Sequence, residues 1–189
     1  IVSRASLGSG VVEQLMALQT KGTALELGCG QGRNALFLAV GGFDVTAVDA
    51  SPVGIAQLQR YARGAGITLQ ALVGDITTFD VAQPVDLVVS TYVLHHIENA
   101  MARTLTARWK EWTRPGGFHA IAVFTRDGDF FRRDPTTRNF YPDRALLRDL
   151  YSDWVIHRHS TARGTAAQQR QDGTQMENVV ARIIAQRPM

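Results

Sequence analysis

Between Thr23 and Thr125, short apolar runs of strand length are interleaved with segments of helical period. The expected strands are Thr23–Leu27, Phe43–Val48 ending at Asp49, Ile67–Val73, Val85–Ser90 and Phe118–Thr125. The expected helices are Val11–Leu18, Arg33–Val40, Pro52–Arg63 and Met101–Thr113. Local chemistry punctuates them: Gly41-Gly42 stops the second helix, Ser51 caps the third with Pro52 in its first turn, and Arg114-Pro115-Gly116-Gly117 turns the chain into the fifth strand. This alternation favours an α/β fold, a parallel sheet with helices on both faces and a ligand site at the strands' carboxyl ends. The tail differs. After a helix near Asp143–Tyr151, Trp154–Ser160 and Glu177–Gln186 read as an antiparallel pair that closes the sheet.

Composition limits the function classes. At 189 residues and 45% hydrophobic, with no internal repeat, residues 1–189 are expected to form a single domain. No apolar stretch reaches the ~18 residues of a membrane span and no charged-then-apolar leader opens the chain, so the expected location is cytoplasmic, away from membranes. Cys29 is the only cysteine, which excludes an intrachain disulfide and a cysteine-cluster zinc site; no metal site is expected. The net charge of +3 comes from 20 basic and 17 acidic residues mixed along the chain, an ordinary solvated surface and not a nucleic-acid groove. Arg126, Arg132, Arg133 and Arg138 form a local basic cluster that could attract an anionic substrate, although solvated loop arginines are the commoner case. Nothing in the sequence sets the oligomeric state.

The stretch Leu25–Asn34, L-E-L-G-C-G-Q-G-R-N, places three glycines in five positions directly after the first strand. Bare backbone there permits a sharp turn and lets a bulky ligand lie against the amides. The spacing Gly28-x-Gly30-x-Gly32 differs from the G-x-G-x-x-G of dinucleotide folds, with Arg33 where a glycine would stand, and an ordinary tight β-α turn gives the same pattern. Asp49 ends the second strand, where a carboxylate can accept from both hydroxyls of a ribose; an acid beside the Ser51 cap would look the same. Asp75 ends the third strand, where it can accept from an adenine amine while Ile76 packs on the ring.

With A-V-D-A-S-P after strand two, V-G-D-I after strand three and R-P-G-G before strand five, nearly the whole chain resembles class I S-adenosylmethionine-dependent methyltransferases. G-C-G-Q-G-R-N, V-T-A-V-D and F-Y-P-D-R-A-L-L-R-D-L-Y are similar to the small tellurite-resistance (TehB-like) type. The resemblance implies a Rossmann-like, seven-stranded, mostly parallel sheet with an antiparallel last strand, and S-adenosyl-L-methionine as cofactor. It implies that Gly28, Cys29, Gly30 and Gly32 line the methionine part, with Glu26, Arg33, Asn34 and Ala50 beside the cofactor. Asp49 would take the ribose, Asp75 and Ile76 the adenine, and Ser90 and Thr91 the sulfonium end. A His-Arg pair facing an oxyanion is implied on the last hairpin, where Gly164–Gly173 instead carries Ala167 and Gln168. The resemblance also implies an N-terminal lid, expected to be short or missing here because only about ten residues precede the first helix.

Methyl transfer is a displacement that needs alignment at about 3 to 3.5 Å, and a base only if the acceptor must lose a proton. Acceptor-side candidates follow strands four and five: Tyr92, His95, His96, Glu98, Arg126, Asp127, Phe130, Phe131, Arg138 and Tyr141, with Tyr92, His95 and Arg126 foremost. His95 or His96 could serve as a base near neutral pH, or pack as a linker at the helix start. Trp109 and Trp112 are expected in the core; Phe140, Tyr141 and Trp154 suit either core or pocket. The N/D-P-P-Y stretch of enzymes that methylate base amines is replaced by Ser90-Thr91-Tyr92-Val93-Leu94, which disfavours nucleic acid and glutamine as substrates. The expected acceptor is a small soluble molecule, a soft nucleophile such as a thiol, selenite or tellurite. A cofactor-binding protein without catalysis, or an NAD-dependent oxidoreductase on the same sheet, are the alternatives.

Overall fold

The computed structural model of the protein describes residues 8–19, 21–169 and 172–189, with backbone only for 165–169. The elements run α1 (Gly10–Leu15), β1 (Gly22–Leu27), α2 (Arg33–Val40), β2 (Phe43–Asp49), α3 (Pro52–Ala65), β3 (Gln70–Val73), β4 (Val85–Thr91), α4 (Asn99–Trp112), β5 (Thr113–Phe124), α5 (Asp129–Arg132), α6 (Leu146–Asp149), β6 (Val155–Gln169) and β7 (Gln175–Gln186). They build one seven-stranded sheet in the order β3-β2-β1-β4-β5-β7-β6. β1 to β5 are parallel and β7 is antiparallel to both its neighbours. The expected Rossmann-like sheet with an antiparallel last strand is what forms.

β1 and β4 occupy the centre, and a parallel strand covered on both faces must be apolar nearly throughout. Accordingly Ala24–Leu27 and Leu87–Thr91 are buried without alternation. One face packs against α1, α2 and α3 through residues such as Val12, Leu38 and Leu58; the other packs against α4 and the 140–154 segment through Leu105, Trp109, Phe140 and Tyr151. Trp112 and Trp154 join that second cluster, so of the aromatic residues with two possible roles Phe140 and Trp154 are core. Ser51 caps α3 by accepting the Gly54 N–H at 3.1 Å, as the Ser-Pro pair requires.

The structure corrects several expected boundaries; α1 ends at Leu15 and not at Leu18. β3 begins at Gln70, and the 74–84 link to β4 is a loop. Asp75 starts that loop by accepting from the Thr77 N–H and hydroxyl, both at 2.8 Å, and Arg108 of α4 reaches across to the Thr77 and Phe79 carbonyls. β5 starts at Thr113; Arg114–Gly117 bulge out of the ladder between the pairs Val85–Thr113 and Leu87–Phe118. The expected helix over 143–151 shrinks to the single turn Leu146–Asp149, with the Asp143 carboxylate accepting the Ala145 and Leu146 N–H groups at its start. β6 extends to Gln169, so the last hairpin projects well past Ser160.

Candidate active site

The strand order reverses between β1 and β4, and the crevice at their carboxyl ends is where ligands of such sheets bind. The glycine turn forms its floor. Gly28 and Cys29 donate their N–H groups to the Val48 carbonyl of β2, and Gly32 N–H closes onto Cys29 O at 2.9 Å. Gly30 has φ +55°, and a Cβ built on it would meet nothing within 4 Å, so open space lies directly above the turn. Gly32 is left-handed too, at φ +81°, with the Leu58 side chain filling the place of a Cβ.

Around the turn stands a polar network. Asn34 uses its whole amide: Oδ1 accepts the Ser9 N–H at 2.7 Å, and Nδ2 donates to Glu26 Oε1 at 2.9 Å and Thr91 Oγ1 at 3.0 Å. Glu26 is buried, and its Oε2 has no partner among the described residues. Desolvation pushes its carboxyl up to about 7, against the lowering effect of the Asn34 and Ala35 hydrogen bonds and the Arg33 charge. Ser90 Oγ donates to Leu27 O at 3.2 Å, tying β4 to β1. Asp49 sits half-buried at the rim with its carboxylate on the Gly30 and Ser51 N–H groups. Ile76 is buried beside the exposed Asp75, and Ala50 and Arg33 are exposed at the mouth. The cofactor-side candidates therefore follow or end the neighbouring strands β1, β2, β3 and β4 at their carboxyl ends, with the Asp75 carboxylate turned to Thr77. A buried carboxylate with one oxygen unpartnered among the described residues, open space over the glycine turn and a carboxylate at the end of β2 suit a ligand that brings both a cation and a sugar.

Beyond β4 the chain is strained. Tyr92 is the only non-glycine residue among those described with positive φ, at 61°, and its N–H reaches Ala122 O of β5 at 2.7 Å. This kink delivers Tyr92, His95 and His96 to a cavity of about 610 Å³ that opens between α2 and strands β5, β7 and β6. The Tyr92 and His95 rings both pack on Phe124, at 5.2 and 4.7 Å. His95 is buried, with Nδ1 unpartnered among the described residues, and burial reinforced by the neighbouring His96 holds its imidazole down at about 3. A base titrating near neutrality at His95 is thus corrected to a neutral, weakly basic ring. Arg126 does not join this cavity: its exposed side chain pairs with Asp143 at 3.7 Å. Arg132 and Arg138 are likewise exposed and paired, with Asp129 and Glu98, both at 3.5 Å. Tyr141 faces His95, with ring centroids 5.8 Å apart.

The far wall of the cavity was not foreseen. Asn178, Val180 and Arg182 of β7 supply it with Ala162, Arg163 and Gly164 of β6. Their signal in the sequence is faint: Asn178 and Arg182 are polar positions, four apart, on the face of β7 that also carries Met176, Val180 and Ile184. The side chains of Ala167 and Gln168 lie outside the described residues.

A doubly wound sheet of this order, with its glycine turn at the β1/β4 reversal, is the architecture of class I methyltransferases. Comparison places it more closely. The profile of the family described as "Tellurite resistance protein TehB" matches residues 4–183, and the chain belongs to that family. The crystal structure of TehB from Haemophilus influenzae superposes with a TM-score of 0.84 at 25% identity, covering 95% of this chain and 62% of that one. In sequence the chain is 30% identical to "Hemagglutinin 1" of Eikenella corrodens over 87% of its own length and 54% of the relative's. It is 26% identical to the "Probable S-adenosyl-L-methionine-dependent methyltransferase TehB" of Haemophilus influenzae over 86% and 56%. The chain thus spans little more than half the length of these curated relatives. No helix among the described residues is long and apolar enough to cross a membrane, and they hold no cluster of metal-ligating side chains.

Proposed function

We propose that the chain binds S-adenosyl-L-methionine over the glycine turn and transfers its methyl group to a small acceptor seated in the 610 Å³ cavity. The observation that carries this reading is the junction of the two spaces: Arg33 and the kinked segment after Thr91 border both the glycine turn and the cavity. Bound there, the cofactor supplies a methyl carbon activated by its positive sulfonium. The residues fit it. Asp49 offers acceptor oxygens to the ribose hydroxyls, Glu26 Oε2 offers a negative charge to the ammonium end, and Ile76 offers an apolar surface to the adenine. Tyr92 and His95 hold the acceptor's approach in line, and the aromatic walls keep water from the reacting atoms. The methyl group would pass to the acceptor's lone pair as its bond to the sulfonium sulfur broke, with S-adenosylhomocysteine as the product. A thiol would react as its thiolate, whose proton has gone to water and not to a residue of the site. The weak basicity of His95 favours such a soft nucleophile, a thiol, selenite or tellurite, over an alcohol that must be deprotonated in place.

Calorimetric titration with S-adenosylhomocysteine and NAD in parallel tests the reading, followed by a screen of thiols, selenite and tellurite for S-adenosylhomocysteine release. Micromolar binding of S-adenosylhomocysteine alone with turnover of one acceptor class is the expected result. Binding without turnover on any acceptor points to the non-catalytic alternative, and binding of NAD alone overturns the proposal.

A further inference from the structure

Asn178 is 2% exposed, lies on β7 and lines the acceptor cavity. Its Oδ1 accepts the Phe130 N–H at 2.9 Å, which fixes the orientation of the amide, since an NH₂ group cannot accept from an N–H. Nδ2 is thereby committed to the opposite side, where no partner among the described residues meets it. A buried donor left unmatched costs stability, so its retention on a cavity wall calls for a ligand acceptor. The fold makes room for this group: a Cβ on Gly128 would stand 2.7 Å from Asn178 Oδ1. Two residues past Val180 on the same face, Arg182 also lines the cavity, and no carboxylate of the described residues pairs with it. The neighbouring Arg163 is shared with Glu177 at 3.8 Å, so Arg182 carries the uncompensated positive charge of this wall.

Across from β7 and β6 the cavity is lined by the rings of Tyr92, His95, His96, Phe124 and Phe130, with Arg33 at its border to the glycine turn. Phe124 and Phe130 meet edge to face at 4.9 Å, and Tyr92 packs on Phe124. An inorganic oxyanion would gain nothing from these rings and would lose hydration against them. An organic body would bury apolar area there while an anionic oxygen at its other end took the Asn178 donor and the Arg182 charge.

Resting on the methyltransferase reading above, we infer that the acceptor is an organic molecule bearing a carboxylate, and that Asn178 with Arg182 selects it by that group. In this arrangement the nucleophilic end faces Tyr92 and His95 while the carboxylate faces β7.

The test is calorimetric titration of the intact chain, saturated with S-adenosylhomocysteine, with 4-mercaptobenzoate, thiophenol, selenite and tellurite. The same titrations follow for Asn178→Asp, which keeps an acceptor for the Phe130 N–H, and for Arg182→Gln; S-adenosylhomocysteine binding is the fold control for each. The expected result is that 4-mercaptobenzoate binds at least tenfold more tightly than thiophenol, and that each substitution erases this preference. Equal binding of the two thiols, a preference untouched by both substitutions, or tighter binding of selenite or tellurite than of either thiol overturns the inference. Loss of S-adenosylhomocysteine binding by the unsubstituted chain would instead overturn the methyltransferase reading on which it rests.

Discussion

Asp49 Oδ2 accepts the Gly30 N–H at 2.7 Å while its Oδ1 accepts the Ser51 N–H at 2.8 Å, so one carboxylate fixes the glycine turn to the start of α3. The group proposed to take the ribose is therefore already positioned by backbone amides, with lone pairs left over for hydroxyl donors. In Asp49→Asn one of these amides must lose its acceptor, because an amide has a single acceptor oxygen. The expected outcome is a loss of S-adenosylhomocysteine affinity of roughly 1.5 to 3 kcal/mol, the range for a hydrogen bond to a charged group, and a similar or larger loss in Asp49→Ala. Calorimetry checks it; an unchanged Kd would remove Asp49 from the site.

The glycines of the turn divide into two kinds. A methyl group on Gly32 would lie 2.2 Å from Leu58 Cδ1 at a φ of +81°, so Gly32→Ala meets both a clash in the core and backbone strain. A methyl group on Gly30 would project into open space at φ +55°. Gly32→Ala is expected to lower the melting temperature markedly, whereas Gly30→Ala pays only the left-handed penalty of about 1 to 2 kcal/mol and mainly loses cofactor affinity. Thermal melts alongside S-adenosylhomocysteine titrations separate the two; equal effects on both quantities would show that the space above Gly30 is not the binding surface.

The parallel half of the molecule was legible because its signals are local. The apolar run of β1, the Gly41-Gly42 stop and the Ser51-Pro52 start each act within a few residues, and α2 forms over the range its periodicity marks. Asp49 and the glycines were legible for the same reason, being tied to strand ends. The bulge at Arg114–Gly117 was visible as a turn but not as part of β5, since only pairing with β4 makes it so. Asn178 and Arg182 were missed because their meaning depends on β7 inserting between β5 and β6, a long-range placement that brings residues some fifty positions past Phe124 against it. The low basicity of His95 was equally out of reach, because it comes from burial against Phe124.

Glu26 makes a pH-dependent prediction with a definite sign. Its carboxyl rises from 4.5 to about 7 on folding, so the folded state favours the protonated form. Stability from this group is fully present below about pH 4.5 and is lost as pH rises through about 7. At about 1.4 kcal/mol per pKa unit, the loss is on the order of 3 kcal/mol. Glu26→Gln keeps an acceptor for Asn34 Nδ2 without the charge, and should match the parent below pH 4.5 but exceed its stability above pH 7. Urea denaturation of the two chains at pH 4.5 and pH 8, with no cofactor added, measures the difference; a constant difference across that range contradicts the assignment.

His119 works in the opposite direction, and its hydrogen bonds fix its tautomer. Thr113 Oγ1 uses its one proton on Trp109 O at 2.8 Å, so at 2.8 Å from His119 Nε2 it must accept, and Nε2 carries the hydrogen. Nδ1 is then the bare nitrogen that accepts from the Tyr151 hydroxyl at 2.8 Å. A proton added to Nδ1 would force the Tyr151 hydroxyl to turn from donor to acceptor inside a fully buried site, and desolvation, with the Lys110 charge adding to it, holds the imidazole down at about 3. A depressed histidine contributes stability that is present above about pH 6.5 and lost as pH falls toward 3. Tyr151→Phe leaves Nδ1 unpaired and is expected to cost about 1 to 3 kcal/mol at pH 7. A protonated Nδ1 would then have no hydroxyl to accept its hydrogen, so His119 stays neutral and the further loss between pH 6.5 and 4 should be at least as large as in the parent, with His95 contributing equally in both chains. Denaturation curves at pH 4, 5.5 and 7 read both effects, and a shallower acid slope in Tyr151→Phe would mean that the hydroxyl itself holds His119 neutral.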